Sequence, residues 1–163
     1  MLLAAELPSM PAFVGAIVER LGVRPDLRLD TSVPGVVATT TVPPDGDRML
    51  HLVNPTGYEA RVEVSWGGTP LGDGAPFSAP PRAGFMLALG VSVPWGRIVS
   101  ANAEIRSLGG GGLAIGPGLG ARTHVTLETD RRVTCAEGSP IEVRRGLVVV
   151  TGDGGGPLTL RRE

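Results

Sequence analysis

Lysine is absent from the 163 residues, cysteine occurs once and aromatic residues make up only 4%. Each shortage closes off a class of chemistry. Without lysine, Gly116-Pro-Gly-Leu-Gly120 cannot be a phosphate loop, which ends in Gly-Lys-Ser/Thr; a dinucleotide fingerprint would need a helix where 122–129 alternates like a strand. Those glycines therefore read as turn residues, and 152–156 as a hairpin loop. The lone Cys135 excludes an internal disulfide and a cysteine-based zinc cage. It sits in a strand-like run with no matched histidine, so a buried structural thiol is expected. No apolar run approaches the ~18 residues of a membrane span, and Met1-Leu-Leu-Ala-Ala5 lacks the basic start of a signal peptide. A net charge of -1 supplies no field toward nucleic acid or acidic lipid. These observations predict a cytoplasmic protein that engages neither nucleic acid nor membrane. The use of arginine for all fifteen basic positions fits GC-rich coding DNA.

What is plentiful is punctuation. Twenty-five glycines and fifteen prolines separate short β-branched runs, the pattern of a turn-rich β fold. The clearest stretch is 48–66. Leu50 and Leu52 share one face while Met49, His51 and Val53 share the other; Val62, Val64 and Trp66 then alternate with Arg61, Glu63 and Ser65. Between them Asn54-Pro55-Thr56-Gly57 suits a type I turn. The pattern predicts a hairpin, preceded by a strand at 36–42, so that three consecutive antiparallel strands form. The run 85–89 fits a strand buried on both faces. Further alternating runs at 97–105, 113–115 and 123–129 lead to short strands at 133–135, 141–143, 147–151 and 158–160, spaced as in a sandwich or barrel.

One helix is expected, at 8–22. Ser9 can cap it, Pro11 is tolerated in its first turn and Gly22 can end it. Phe13, Val14, Ile17, Val18 and Leu21 form an apolar stripe that would dock against a covering surface. The predicted fold is thus mainly β: one N-terminal helix with an extended linker (1–34), then two small antiparallel β-sandwich or barrel-like modules (35–95 and 96–163).

No catalytic constellation is readable. His51 and His124 each lie in an alternating strand and read as structural or surface histidines, so no metal site and no cofactor is expected. Glu59, Glu63, Glu104, Glu128, Glu137 and Glu142 are scattered, without the paired carboxylates of glycoside hydrolysis, and no Gly-x-Ser-x-Gly elbow occurs. Tyr58, Trp66 and Trp95 are the rings suited to stacking. Trp66 ends a core-facing row, which leaves Tyr58 and Trp95 as candidate contacts for a sugar or a partner.

One series of segments resembles a known family. The apolar stripe of 13–21 is followed by Gly22-Val-Arg-Pro25, Pro34-Gly-Val-Val-Ala-Thr-Thr40 and Arg48-Met-Leu-His-Leu-Val-Asn-Pro-Thr-Gly-Tyr58. Pro80-Pro-Arg-Ala-Gly-Phe-Met-Leu-Ala-Leu89 and Ser100-Ala-Asn-Ala-Glu-Ile105 complete the order. The series, covering roughly 8–130, resembles the C-terminal region of bacterial β-galactosidase-like glycoside hydrolases. The resemblance implies a helix that closes an α/β domain, with small β domains after it. Such enzymes carry their catalytic glutamates on a (β/α)₈ barrel, and 163 residues cannot hold a barrel of ~250, so no catalytic residue transfers. The implied function is a non-catalytic accessory portion that braces the barrel or supports oligomerisation. Its expected partners are the catalytic domain, a partner subunit or a second copy. The alternative is a stand-alone carbohydrate-binding β module.

Overall fold

Asn54 and Asn102 are almost wholly buried, at 0% and 2% exposure, and each stands where the chain leaves one sheet for another. They explain the architecture. The computed structural model describes residues 17, 20–22, 26–44, 46–109 and 112–163. The first half contributes β1 (Leu27–Thr31), β2 (Val37–Thr41), β3 (Met49–Asn54), β4 (Ala60–Trp66), β5 (Thr69–Pro70), a 3-10 helix at Leu71–Gly74, β6 (Phe77–Ala79) and β7 (Ala83–Ala88). The second contributes β8 (Val91–Val93), β9 (Gly96–Ala101), β10 (Ala103–Gly109), β11 (Gly112–Gly118), β12 (Arg122–Glu128), β13 (Val133–Cys135), β14 (Ile141–Arg144), β15 (Leu147–Asp153) and β16 (Leu158–Arg162).

These strands form four small antiparallel sheets, propeller-like in taking small sheets as blades. The first sheet has β4 at its centre, with β1 on one side and β5 and β6 on the other. The second runs β2-β3-β7, the third β14-β15-β12-β9-β8 and the fourth β10-β11-β16-β13. Leu50 and Leu52 of β3 meet Val62 and Val64 of β4 and Phe77 of β6 in one core. Ile98, Val125, Leu127 and Val150 of the third sheet meet Leu113, Ile115, Leu158 and Leu160 of the fourth in another.

The expected fold class is corrected in two ways. The described elements are strands and one 3-10 helix; an N-terminal α-helix is not among them. Of the expected stripe, Phe13, Val14 and Val18 lie outside the described residues. Ile17 and Leu21 are 42% and 71% exposed and are joined by one bond, Leu21 N–H to the Ile17 carbonyl at 2.9 Å. Neither cluster of buried side chains includes Ile17 or Leu21. The two expected sandwich or barrel modules are replaced by the four-sheet arrangement.

The expected hairpin at 48–66 is not one. β3 pairs with β2 and β7, whereas β4 pairs with β1, β5 and β6. The arms belong to facing sheets and point their leucines and valines at each other across the core. Asn54 makes this corner. Its amide donates to the carbonyls of Tyr58 (2.8 Å), Ala79 (2.8 Å) and Pro80 (3.0 Å), while its Oδ1 accepts from the Thr56 backbone N–H at 3.1 Å and from the Thr56 hydroxyl at 2.7 Å. The run expected as one strand over 97–105 likewise breaks at Asn102 into β9 and β10, which lie in different sheets. Asn102 donates from Nδ2 to the Arg122 carbonyl and accepts the His124 N–H at Oδ1, both at 2.8 Å. Buried amide groups satisfied in this way let strands switch sheets without leaving backbone polar groups unpaired.

The halves touch along a seam. Leu119, in the turn between β11 and β12, packs on the first core, and its carbonyl accepts the Ser78 N–H. Nearby, the Glu104 carboxylate accepts the Met86 N–H at 3.0 Å.

Candidate functional site

The outer face of the β2-β3-β7 sheet is made by alternation. Leu50, Leu52 and Leu87 go inward at 0% exposure, which forces Met49, His51, Val53 and Met86 outward. Register places Val37, Val53 and Gly84 side by side, then Thr39, His51 and Met86, then Thr41, Met49 and Ala88. Val37 is 49%, Val53 43% and Met86 50% exposed. None of the three strands contains Asp, Glu or Arg. The His51 ring lies along the face, its Nε2 2.9 Å from the Thr41 hydroxyl. The run 85–89, expected to be buried on both faces, thus opens Met86 to solvent on this side.

The outer face of the first sheet is the electrostatic opposite. Arg28, Asp30, Arg61 and Glu63 all point outward and are exposed. Asp30 and Glu63 are direct cross-strand partners, a like-charge juxtaposition that opposes pairing. Arg61 sits 3.4 Å from Glu63 as a partial remedy. These two carboxylates are exposed and line a groove of about 430 Å³ with Leu29, Val64, Pro70 and Leu71. Beside them a groove of about 720 Å³ runs along the seam, lined by Glu59, Arg61, Ser78 and the 118–121 turn. Glu59 is held there by the Ser78 hydroxyl.

The remaining sequence candidates are dispersed. Tyr58 is 73% exposed, at the corner that Asn54 builds, whereas Trp95 is 5% exposed and belongs to the second core. The two rings form no common platform. Trp66 is half-buried against the first core, with the Arg48 guanidinium stacked 4.1 Å above its ring, a cation–π contact that periodicity alone does not reveal. His51 and His124 lie in different sheets, and His124 Nδ1 is 3.4 Å from the Thr151 hydroxyl. Among the described residues no three of His, Cys, Asp and Glu are grouped to hold a metal ion, and no helix is long and apolar enough to cross a membrane.

Cys135 is half-buried rather than buried, and its thiol donates to Glu137 Oε2 at 3.2 Å. The same oxygen accepts the Thr159 N–H at 2.8 Å. Glu137 is exposed; slight desolvation pushes its carboxyl group up, but hydrogen bonds from Thr159 and Cys135 outweigh it and hold the group below its ordinary value. A carboxyl group lowered by folding stabilises the fold above its unfolded pKa, about 4.3 for glutamate. That contribution disappears as pH falls through the folded value. Glu137→Gln should therefore melt below the wild type at neutral pH, with the gap closing in acid. A gap that stays constant from pH 7 to pH 3 would refute this.

No protein-family model matches the chain, and no curated protein matches it.

Proposed function

We propose that this chain is a non-catalytic accessory β portion of a β-galactosidase-like glycoside hydrolase, which braces a catalytic barrel by docking through the outer face of the β2-β3-β7 sheet. The observation that carries the reading is that face: uncharged along three strands, with Val37, Val53 and Met86 each roughly half exposed. Surfaces of this kind, rimmed by polar residues, serve as protein contacts. The resemblance of the segments over 8–130 supplies the identity of the partner. The carbohydrate-binding alternative is weakened by Trp95, which is buried away from any sugar.

The DNA immediately upstream of Met1 is the first place to test this, and a (β/α)₈ barrel encoded in frame or in the adjoining gene is the expected result. With that barrel in hand, the pair Val53→Lys and Met86→Lys should weaken its association with this chain at least tenfold. Both positions are exposed, so the fold itself should lose no more than about 0.5 kcal/mol. An unrelated upstream gene, or binding indifferent to both lysines, would overturn the reading.

A further inference from the structure

Unpaired sheet edges invite association, and natural sheets guard them with charge, proline, brevity or a covering element. Eight of the nine edge strands among the described residues are guarded in one of these ways. In the first sheet β1 carries Arg28 and Asp30, and β5 and β6 have two and three residues. The third sheet ends in β14, with Glu142 and Arg144, and in the three-residue β8. The fourth ends in β10, with Glu104 and Arg106, and in the three-residue β13. On the second sheet β7 is blocked where Glu104 takes the Met86 N–H. Its other edge, β2, is five residues of Val-Ala-Thr-Thr-Thr. Among the described residues it pairs only with β3. It has no charge and no proline, and it is bounded by Gly35 at φ 96° on one side and by Pro43-Pro44 on the other.

We propose that β2 pairs antiparallel with β2 of a second copy, on a two-fold axis through Thr39, to make a continuous six-stranded sheet. In that register Val37 faces Thr41 of the other copy, Ala38 faces Thr40, and the two Thr39 residues meet. Valine–threonine and threonine–threonine pairs are favourable cross-strand neighbours. A two-fold contact sets each residue against its own kind of surface, so an edge without charge is complementary to itself, whereas every charged edge in this molecule would meet like charge on some registers. The proline and glycine boundaries confine the contact to five residues and limit it to one sheet. The pairing depends on the edge alone and not on a catalytic partner, so its failure would leave the docking reading standing.

Sedimentation of the full chain over a concentration series should show a reversible dimer forming on the order of 10–100 µM, as suits a small contact. Thr39→Lys, which brings two ammonium groups together on the axis, should raise the dissociation constant at least tenfold at unchanged melting temperature. Val143→Lys, at an exposed valine on β14, should leave it unchanged. In a Cys135→Ser background, Thr39→Cys should cross-link on oxidation, because directly opposed residues have Cα atoms about 4.5–5.5 Å apart, within disulfide reach. Thr41→Cys should not, since its own copy lies four residues away along the pair, at roughly 13 Å. A chain monomeric throughout, a dimer indifferent to Thr39→Lys, or cross-linking at Thr41 as readily as at Thr39 would overturn the proposal.

Discussion

Asn54→Asp should lower stability by about 3–5 kcal/mol, the cost of leaving a buried charge uncompensated. The side chain is fully buried, and its NH₂ group faces the carbonyl oxygens of Tyr58, Ala79 and Pro80 at 2.8, 2.8 and 3.0 Å. Aspartate keeps the shape and the Oδ1 that Thr56 uses, but it replaces the donors with a carboxylate oxygen aimed at three carbonyl oxygens. Protonation would relieve the charge and restore at most one donor, so the loss should shrink in acid without disappearing. For a chain of this size, 3–5 kcal/mol corresponds to a fall in melting temperature on the order of 10 °C. Asn102→Asp is the internal comparison. Its Nδ2 donates to the Arg122 carbonyl and its Oδ1 accepts from His124, so aspartate there should cost less. Thermal melts that rank Asn102→Asp as the worse of the two would refute the account of the first corner.

That corner also shows what the sequence could and could not convey. The alternation at 49–53 and 62–66 correctly marks two strands and their inward faces: Leu50, Leu52 and Val62 are fully buried. Period-2 patterning cannot separate two strands paired in one sheet from two strands facing each other across a core, because the same residues point inward either way. Turn chemistry favoured the hairpin, since Asn-Pro-Thr-Gly is a good turn in either setting. The deciding signal was present but local: an asparagine closing an apolar run, as Asn54 closes 49–53 and Asn102 interrupts 97–105. A buried amide can collect the backbone groups freed when a strand changes sheets, and the structure uses both asparagines for that.

The candidate docking face was legible only in part. Alternation assigned Met49, His51 and Val53 to a shared outer side, but β7 is brought beside β3 by pairing of residues far apart in the chain, from Asn54 with Ala83 to Met49 with Ala88, which no local pattern encodes. The uncharged surface exists only once Met86 stands next to His51 and Val53 next to Gly84. Trp95 went the other way. Its turn between Pro94 and Gly96 suggested an open ring, whereas the loop folds its indole into the second core, where burial of a large apolar surface outweighs the turn's exposure.

Phe77→Ala should cost about 3–5 kcal/mol, the range for truncating a buried aromatic ring. The ring is 2% exposed and opposes Val62 in the register of β6 on β4. Directly above it, Gly72 has φ 63°, and a Cβ there would lie 2.6 Å from Phe77 Cε1 and 3.5 Å from Asn102 Nδ2. The ring therefore fills the space between the first core, the 3-10 helix and the second corner asparagine. Beside it, Ser78 binds the Leu119 carbonyl and Leu119 packs on the same core, so loss of the ring should weaken the seam as well. Gly72→Ala on its own should cost about 1–3 kcal/mol, from overpacking against the ring at a backbone angle that alanine rarely adopts. In the Phe77→Ala background the clash has no partner, so the added cost of Gly72→Ala should fall toward the backbone strain alone. This coupling is measurable as a double-mutant cycle. Strictly additive effects would mean that the ring does not occupy the space beneath Gly72, and the packing argument for the seam would fail with it.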